Sequence, residues 1–497
     1  MKRRRFIEPR RDEQLLLPPD IRDYVSQDHF AVWLVRTIGE LDLSSFYRSY
    51  EVDNEAGEGR PPFDPAMVLA LTIYALANRA LTTRQVEALC GTDFGARYIM
   101  GNLVPDHTSI ARFHRRHQVE YQLVLTQVIL LCHEAGLISL ENLALDSTVI
   151  KAAVGRNSNT KISELETLWE QCSNRAKDLL ERVKHAEEQE SARLEKELKQ
   201  AQNRAAKLKR AMEFLKAKQA GQSKVSEPTS ASSAEEAKEQ RRTVGETIRK
   251  ARIAKKLSQS QLGAMLDITR QNVSDMEAGR RPPPLKARTA LADTLDVPVD
   301  DLIPAKAPRK LKRTPSSPRI NLTDNDCYTT YKPTDGFNDG YLAQAATDSK
   351  SLLIVYAAIS PANNDHPELQ KCAESCKSVF GKLPDAATAD TGYASNENFR
   401  MAKEMGLNLY CSVPRNRPNY AHASIEYEEM RAKVTSEAGK TIYNTRSVVG
   451  EPPFARIKCH FGMRRFLTRG LANVTGEWLK MALTYNLVYW FRATMKA

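Results

Sequence analysis

The first 140 residues carry apolar positions at helical spacing. Asp64 and the proline after it form a cap and first turn for FDPAMVLALTIYALAN, whose apolar residues recur every three or four positions. Two later segments, LTTRQVEALCG and VPDHTSIARFHRRH, begin at the capping residues Thr82 or Thr83 and Asp106. The pattern predicts an all-helical domain over residues 1–140.

The spacing changes to that of a strand at ENLALDSTVIKA and then returns to that of a helix. Residues 141–160 are interpreted as the first strand of an α/β core, because apolar positions there are interspersed with small and polar ones. The segment 161–220 has apolar positions at alternating steps of three and four, namely Ile162, Leu165, Trp169, Cys172, Ala176, Leu179 and Val183, and then Leu198, Ala201, Ala205, Leu208, Met212 and Leu215. The phase slips between Glu187 and Arg193, so an antiparallel helical hairpin and a single long coiled coil both fit.

Two polar segments flank a small helical pattern. Residues 221–242 are poor in large apolar residues and rich in Ser, Glu and Ala, which predicts a linker. A compact helical domain is predicted over residues 243–304. A second linker, residues 305–320, is proline-rich and carries the basic residues Lys306, Arg309, Lys310, Lys312 and Arg313. It fits either a solvated spacer or a segment that follows a phosphate backbone.

Residues 321–497 alternate strand-like and helical segments. The strand candidates are DGYLAQAATD, SLLIVYAAIS, DAATAD and NLYCSVP. The helix candidates are HPELQKCAESCKSVFGK, opened by Asp365 and Pro367, NENFRMAKEMG, closed by Gly406, and the last two, GEPPFARIKCHFGMRRF and GEWLKMALTYNLVYWFRATM. The expected fold class is multidomain α/β, with an all-α N-terminal domain and all-α inserted segments.

Composition and charge narrow the partners. A length of 497 residues predicts about two to four domains, and a net charge of +12 with a pI near 9.2 favours a polyanionic partner. The eight cysteines lack paired CxxC spacing and are interpreted as reduced thiols of a cytoplasmic protein. No membrane segment is expected, because the longest apolar runs are about half of what crosses a bilayer. The start, MKRRRFIEPRR, is interpreted as a basic arm.

Three arginines end the predicted helix VPDHTSIARFHRRH. They are Arg112, Arg115 and Arg116. Side chains at the end of a short capped helix suit contacts with DNA phosphates, although a solvated helix face has the same composition.

Three acidic residues stand where a metal site would need them. Asp146 lies inside the apolar strand LALDSTVI, where an unpaired carboxylate is costly, and Asp390 ends the strand DAATAD. Taken alone, the first also fits a paired core residue and the second a loop former. Glu451 precedes Pro452 and Pro453, which predicts that it caps a helix whose dipole keeps it ionised. Converging carboxylates are the ligands that Mg²⁺ prefers, and two such ions assist phosphodiester cleavage.

Several segments resemble the DDE transposases of bacterial insertion sequences: VPDHTSIARFHRRH, LALDSTVIKA, NDGYLAQAATD, TADTGYASNENF and TIYNTRSVVGEPPFARIKCHFGMRRFLTRG. The resemblance implies an RNase H-like core with a mixed β-sheet, in which Asp146 stands on the first strand, Asp390 on the fourth and Glu451 on a later helix. It implies that these carboxylates are catalytic and hold two Mg²⁺ ions, with Mn²⁺ as an alternative. It also implies cleavage at the ends of the element and attack of the freed 3′-hydroxyl on target DNA, by a homodimer on double-stranded DNA in the bacterial cytoplasm, associated with the nucleoid.

A second part of this resemblance concerns the residues around the glutamate. The family has a Tyr-Arg-Glu-Lys signature that Tyr443, Arg446, Glu451 and Lys458 resemble, which implies that the Tyr, Arg and Lys bind end DNA. One residue more than usual separates the arginine from the glutamate. Thr391 stands where a lysine is common after the second aspartate.

Residues 243–304 resemble the helix-turn-helix domains of Cro and phage repressors. Ser258 and Thr269 cap its second and third helices, and Gly279 ends the third. The predicted core consists of Leu262, Leu266, Ile268, Val273, Met276, Leu291 and Leu295.

The repressor resemblance also implies a way of reading DNA. The third helix would enter the major groove with Arg270, Gln271 and Asn272, while Asp275 suits the groove only if it accepts from cytosine. Gln259 would hold a phosphate. An internal ion pair is implied between Arg252 and Glu277.

The two resemblances leave alternatives for function. The inserted domain reads either the ends of the element or a promoter. The leading hypothesis is an active transposase. The alternatives are a catalytically decayed transposase that regulates by binding DNA, and a nuclease on the same fold without strand transfer.

Overall fold

The structure is a computed structural model that describes residues 20–51, 61–155, 158–185, 188–221, 232–266, 268–280, 288–297, 319–332, 336–361, 364–413 and 425–495. Contacts divide the chain into two compact units, Met1–Met212 with Arg319–Ala497, and Glu213–Pro318. The first unit is therefore built from two stretches of chain that the second separates in sequence. No helix in the described ranges is long and apolar enough to cross a membrane. The predicted basic arm and the five basic residues of the second linker lie outside these ranges.

Seven α-helices form the described part of the N-terminal region. They are α1 (Phe30–Gly39), α2 (Ser44–Glu51), α3 (Pro65–Ala77), α4 (Thr83–Thr92), α5 (Phe94–Ile99), α6 (His107–Arg116) and α7 (Glu120–Glu134). The predicted caps are confirmed, because Asp64 accepts from the Ala66 amide at 2.8 Å and Thr82 forms a capping box with Gln85. Asp106 likewise accepts the first-turn amides of α6.

Six of the eight strands in the described residues form one mixed sheet. The strands are β1 (Asn142–Lys151), β2 (Asn159–Lys161), β3 (Arg319–Asn321), β4 (Tyr328–Lys332), β5 (Gly336–Asp348), β6 (Ile354–Ile359), β7 (Ala386–Ala389) and β8 (Leu409–Cys411). β1 lies in the middle, antiparallel to β5 on one side and parallel to β7 on the other, and β8 continues parallel to β7. β4 and β6 pair antiparallel with the beginning and the end of β5. The four predicted strands after residue 321 are thus present.

The remaining two strands hold the ends of the insertion together. β2 pairs antiparallel with β3, so that Lys161 lies opposite Arg319. The side-chain amides of Asn159 and Asn321 both donate to Oδ2 of Asp339 on β5, at 2.8 and 3.0 Å. The chain therefore leaves and re-enters the region of the sheet at neighbouring positions, as a tolerated insertion requires.

Helices make up the described part of the insertion. They are α8 (Leu165–His185), α9 (Glu188–Gly221), α10 (Ser232–Ala254), α11 (Gln259–Met265), α12 (Arg270–Glu277) and α13 (Arg288–Leu295). Arg175 on α8 lies 3.7 Å from Glu197 on α9, which selects the antiparallel hairpin, because in one continuous helix these residues would be roughly 30 Å apart. The last four helices have their own core, with Leu262, Val273 and Leu291 fully buried.

The predicted linker at residues 221–242 is wrong in its second half. Ser232 begins α10, which runs without interruption into the first helix of the helix-turn-helix domain. The segment SSAEEAKEQRR consists mostly of strong helix formers, and a helix that propagates from a folded end gains one hydrogen bond for each residue added. A polar composition alone does not distinguish such a helix from a linker.

Five α-helices are described after Arg319, and they help to build a single core in the first unit. They are α14 (His366–Phe380), α15 (Asn396–Met405), α16 (Ile425–Thr435), α17 (Glu437–Ala455) and α18 (Leu471–Thr494). α18 packs against α3, α7 and β6, and one cluster of buried residues joins the N-terminal helices to the sheet. Trp33 and Trp490 meet edge to face with ring centroids 5.4 Å apart. The N-terminal helices and the α/β region therefore share one hydrophobic core.

The insertion should be removable. Every buried residue of the shared core lies outside residues 162–318. Replacing those residues by Asn-Gly joins Lys161 to Arg319 through a two-residue hairpin turn. We expect this variant to unfold cooperatively, with a melting temperature within a few degrees of that of the shared core in the full chain, as measured by circular dichroism and calorimetry. The same excision with Asp339→Ala should melt lower, and absence of any cooperative transition in the first variant would contradict the prediction.

Candidate active site and DNA-contacting residues

The sheet brings the two predicted catalytic aspartates side by side. Asp146 lies in β1 and Asp390 follows β7 directly, and because Leu145 pairs with Ala389 in these parallel strands, the two aspartates are next to each other in register. Asp390 accepts from the Gly392 amide at 2.8 Å, which turns the chain into a short 3₁₀-helix. One of its oxygens is therefore bound locally.

Asp146 is largely buried and faces an arginine. Its Oδ1 accepts from the Ser147 amide at 2.9 Å, and its Oδ2 lies 3.6 Å from a guanidinium nitrogen of Arg446. Both side chains are less than a fifth exposed. Arg446, predicted to bind DNA, thus pairs with the first predicted catalytic residue.

The prediction that Glu451 caps a helix is wrong. α17 begins much earlier, where Ser436 accepts from the Gly439 amide at 3.0 Å, and Pro452 and Pro453 lie inside the helix. Glu451 is exposed near the C-terminal end of α17, so the positive end of a helix dipole cannot stabilise its charge. The helical segment also ends sooner than predicted, since residues 461–466 are not helical.

Packing explains why the two prolines do not stop the helix. They remove only two backbone donors, while Val449, Gly450, Pro453 and Phe454 are buried. A Cβ at Gly450 would lie 3.2 Å from the Cβ of Asp146, closer than most such contacts. The absent side chain therefore lets α17 approach β1 closely, and Glu451 follows this contact point directly.

The pKa of Asp146 depends on its burial and on the charges around it. Burial raises the pKa of Asp146 above its ordinary value, while the Ser147 amide and Arg446 lower it and the nearby charges of Asp390 and Glu451 raise it. Oxygen donors with an excess of negative charge suit a hard divalent cation. As the side chains stand, however, no three His, Cys, Asp or Glu residues of the described ranges are close enough to hold a metal ion. An ion held by all three carboxylates would require their side chains to rotate.

Lys458 and Tyr443 are the remaining members of the predicted signature around Glu451. Lys458 belongs to a π-helical turn, Arg456–His460, and its ammonium group donates to the Thr148 hydroxyl and to the Val149 carbonyl oxygen. It is therefore held along β1, two to three residues beyond Asp146. Tyr443 lies on α17, partly exposed.

Asp365 is an acidic residue of the site that sequence reasoning interpreted otherwise. It occupies the N-cap position of α14, as predicted, but its side chain makes no capping bond. Oδ1 instead accepts from the Gln344 side-chain amide at 2.6 Å. Burial raises the pKa of Asp365, hydrogen bonds from Gln344 and Ser147 lower it, and the charge of Asp390 raises it. Only the sheet pairing reveals this proximity, because the local signal is that of an ordinary helix cap.

The recognition helix of the inserted domain presents the predicted residues at its beginning. Arg270 and Gln271 are exposed at the start of α12, and Asn272 is partly exposed. Asp275 lies 3.3 Å from both the Gln271 amide nitrogen and a guanidinium nitrogen of Arg280. Its local partners account for a residue that suits the groove poorly.

The predicted ion pair behind this helix is present. Arg252 donates to Glu277 at 2.5 Å, and both side chains are nearly buried. Gln259 also donates to Glu277, at 2.8 Å. The amide predicted to hold a phosphate is therefore oriented by an internal carboxylate.

Comparison with known families decides what kind of protein this is. The family model described as Transposase DDE domain matches residues 310–487, that described as Transposase domain (DUF772) matches residues 19–116, and that described as Helix-turn-helix matches residues 248–302. No curated protein and no solved structure matches the chain. The chain is a DDE transposase with a helix-turn-helix domain.

The structure adds the strand that the DDE-domain match does not reach. That match begins at residue 310, so β1 and Asp146 lie outside it. β1 nevertheless pairs with β5 and β7, which are both inside it. The sheet of this transposase is thus interrupted in sequence by the insertion and completed only in space.

The three arginines of α6 do not form one cluster. Arg112 and Arg116 line a surface hollow of about 490 Å³, and the Arg116 guanidinium lies 4.5 Å from the ring centre of Tyr50. Arg115 instead lines a second cavity, of about 430 Å³, together with Lys480. In the transposase, Arg112 and Arg116 line the same hollow and Arg115 lines a different one.

The raised pKa of Asp146 predicts that the transposase is stabilised when this charge is removed. Because the folded protein disfavours the ionised carboxylate, stability is lost as the pH rises through the folded-state pKa of Asp146. We expect Asp146→Asn to raise the melting temperature in EDTA at pH 7, by on the order of 2 °C, and to have no effect below the ordinary pKa of 3.8, where both side chains are neutral.

Scanning calorimetry at several pH values measures this difference. Asp385→Asn, an exposed aspartate just before β7, is the matched control and should change nothing. A lower melting temperature for Asp146→Asn at pH 7 would show that the Arg446 pair outweighs burial and repulsion.

Proposed function

We propose that this transposase of an insertion sequence cleaves phosphodiester bonds at the ends of its element and joins the freed 3′-hydroxyl to target DNA, on an RNase H-like core. The observation that carries the proposal is the adjacency of Asp146 and Asp390 on parallel strands, beside the helix of Glu451. The strand order β6-β5-β1-β7-β8, with only β5 reversed relative to its neighbours β1 and β6, supports the RNase H-like assignment.

Asp146, Asp390 and Glu451 would hold the divalent cations, proposed as two Mg²⁺ ions with Mn²⁺ as a substitute. When bound, such ions activate the attacking oxygen and stabilise the leaving one. The chain supplies carboxylates whose mutual repulsion an ion would relieve. Arg446 balances the charge of Asp146 before an ion binds, and would then be available to a DNA phosphate.

Basic residues around the carboxylates would position DNA. Lys458, held along β1, and Tyr443 on α17 are proposed to contact the end of the element together with Arg446. Arg112 and Arg116 would bind phosphates farther from the cleaved bond. A homodimer is proposed, because two ends must be joined in one event.

The helix-turn-helix domain is proposed to read the ends of the element. Arg270, Gln271 and Asn272 stand at the start of α12, where side chains of such helices reach base edges. Gln259, oriented by Glu277, would hold a phosphate. A promoter is the alternative target.

Asp146→Ala tests the chemistry. We expect it to abolish Mg²⁺-dependent end cleavage and strand transfer, by 10³-fold or more, while binding of end DNA in Ca²⁺ stays within about twofold. A fluorescent end-DNA substrate resolves cleaved and joined products on one gel, and Asp385→Ala is the control with an exposed aspartate. Full joining by Asp146→Ala would eliminate the proposal. Cleavage without joining in the wild type would indicate a nuclease.

Gln271→Ala tests the reading of DNA. Losing a bidentate contact to adenine should weaken binding by about 1–3 kcal/mol at one base pair and relax discrimination there. Selection of bound sequences from a random pool identifies the position, and Gln171→Ala, which alters an exposed glutamine on α8, is the control for general effects. An unchanged sequence preference would remove Gln271 from the interface.

A further inference from the structure

We propose that Asp365 is a positioning residue that sets the spacing between Asp146 and Asp390. The inference rests on the proposed function, because it concerns the same carboxylate site. Asp365 lies just before α14, whereas Asp146 lies in β1 and Asp390 follows β7. Asp365 is therefore distant from both aspartates in the sequence. Its side chain nevertheless lies between the two strand segments that carry them.

The first observation is that Asp365 gives up an ordinary capping role. An aspartate at the N-cap normally accepts a first-turn amide, which contributes about 1 kcal/mol. Asp365 makes no such bond, and its backbone is helical where a capping residue is usually extended. The carboxylate points instead toward the sheet, where it meets Gln344. This orientation needs a compensating interaction.

That interaction is a buried hydrogen-bond chain. Gln344 is 2 % exposed in β5, donates to Asp365 Oδ1 at 2.6 Å and accepts from the hydroxyl of Tyr393, which is 1 % exposed. The indole of Trp478 donates to the Gln344 carbonyl oxygen at 3.1 Å and fixes the strand at this point. Asp365, Gln344 and Tyr393 are therefore hydrogen-bonded to one another in a series, and buried networks of this kind hold their members in one arrangement.

This hydrogen-bonded network contacts the segment of Asp146 and the segment of Asp390. Gln344 is the cross-strand partner of Ser147, the neighbour of Asp146, and the Ser147 hydroxyl hydrogen-bonds Asp365. On the other side, a Cβ at Gly392 would overlap Asp365 Oδ2 and lie 2.9 Å from Asp390 Oδ1. Asp365 is thus wedged between the residue after Asp146 and the turn that holds Asp390.

The same contacts favour positioning over direct metal binding. Oδ1 is occupied by Gln344, and Oδ2 is packed against Gly392. The shape and hydrogen bonds of the side chain should therefore matter more than its charge. Asp365→Asn keeps the shape and an acceptor for Gln344. Asp365→Ala and Gln344→Leu each break the chain.

The experiment measures Mn²⁺ binding to the full-length protein by electron paramagnetic resonance of the free ion, which needs no turnover. We expect Asp365→Ala and Gln344→Leu each to weaken Mn²⁺ binding about 10-fold, and the double variant to be no weaker than either. Asp365→Asn should stay within about threefold of the wild type. End cleavage at saturating Mg²⁺ should follow the same order, since misplacing a ligand by about 1 Å costs up to 10²-fold.

A control separates positioning from general stability. Asp93→Ala removes a genuine N-cap, whose carboxylate accepts from the Ala96 amide at 2.8 Å. It should lower the melting temperature as much as Asp365→Ala does, without changing Mn²⁺ binding. If Mn²⁺ binding of Asp365→Ala and Gln344→Leu is unchanged, the positioning role is overturned.

Three outcomes are distinguishable. Asp365 would be a direct ligand if Asp365→Asn weakened Mn²⁺ binding as much as Asp146→Ala while Gln344→Leu had no effect on it. That result would overturn the inference. Unchanged Mn²⁺ binding by Asp146→Ala would refute the proposed site itself, and with it the role of Asp365. Loss of binding in Asp146→Ala with normal binding in both Asp365→Ala and Gln344→Leu refutes the inference alone.

Discussion

The pairing of β1 with both β5 and β7 is the contact on which the rest of this transposase depends. Among the described strands, β1 alone connects the antiparallel part of the sheet to the parallel part, and its buried backbone groups need partners on both sides. Without it, Asp146 and Asp390 would not be adjacent, and α17 would lose the surface on which Gly450 packs. The β2–β3 pair, hydrogen-bonded to Asp339, keeps the two ends of the insertion next to each other. The insertion therefore leaves the pairing of β1 unchanged.

The site combines charges that a stable core would avoid. Asp146 and Asp365 are mostly buried and close to Asp390, so burial and repulsion raise their pKa values. Hydrogen bonds from Gln344 and Ser147 and the pairing with Arg446 offset part of this cost. Such an arrangement is expected where function, rather than stability, has selected the residues.

Local signals in the sequence were reliable where the structure is local. The caps at Asp64, Thr82 and Asp106 formed as predicted, because a side chain and an amide two or three residues apart are sufficient to make them. The Arg252–Glu277 pair was predictable for another reason, the resemblance of the whole domain to a known pattern. Glu451 shows where this reasoning fails. Its two prolines are a typical helix start, but packing on the sheet kept them inside a longer helix.

The sequence by itself determined most of the helices, five of the six strands of the sheet and the class of protein, and it pointed to the three acidic residues of the candidate site, because apolar spacing, caps and motifs are properties of neighbouring positions. Only the tertiary structure decided that the N-terminal helices share a core with the sheet, that α8 and α9 fold back as a hairpin, and that Arg112 and Arg116 share a surface without Arg115. It also decided that Asp365 faces the site. Each of these depends on contacts between residues far apart in the chain, which no local pattern of side chains encodes.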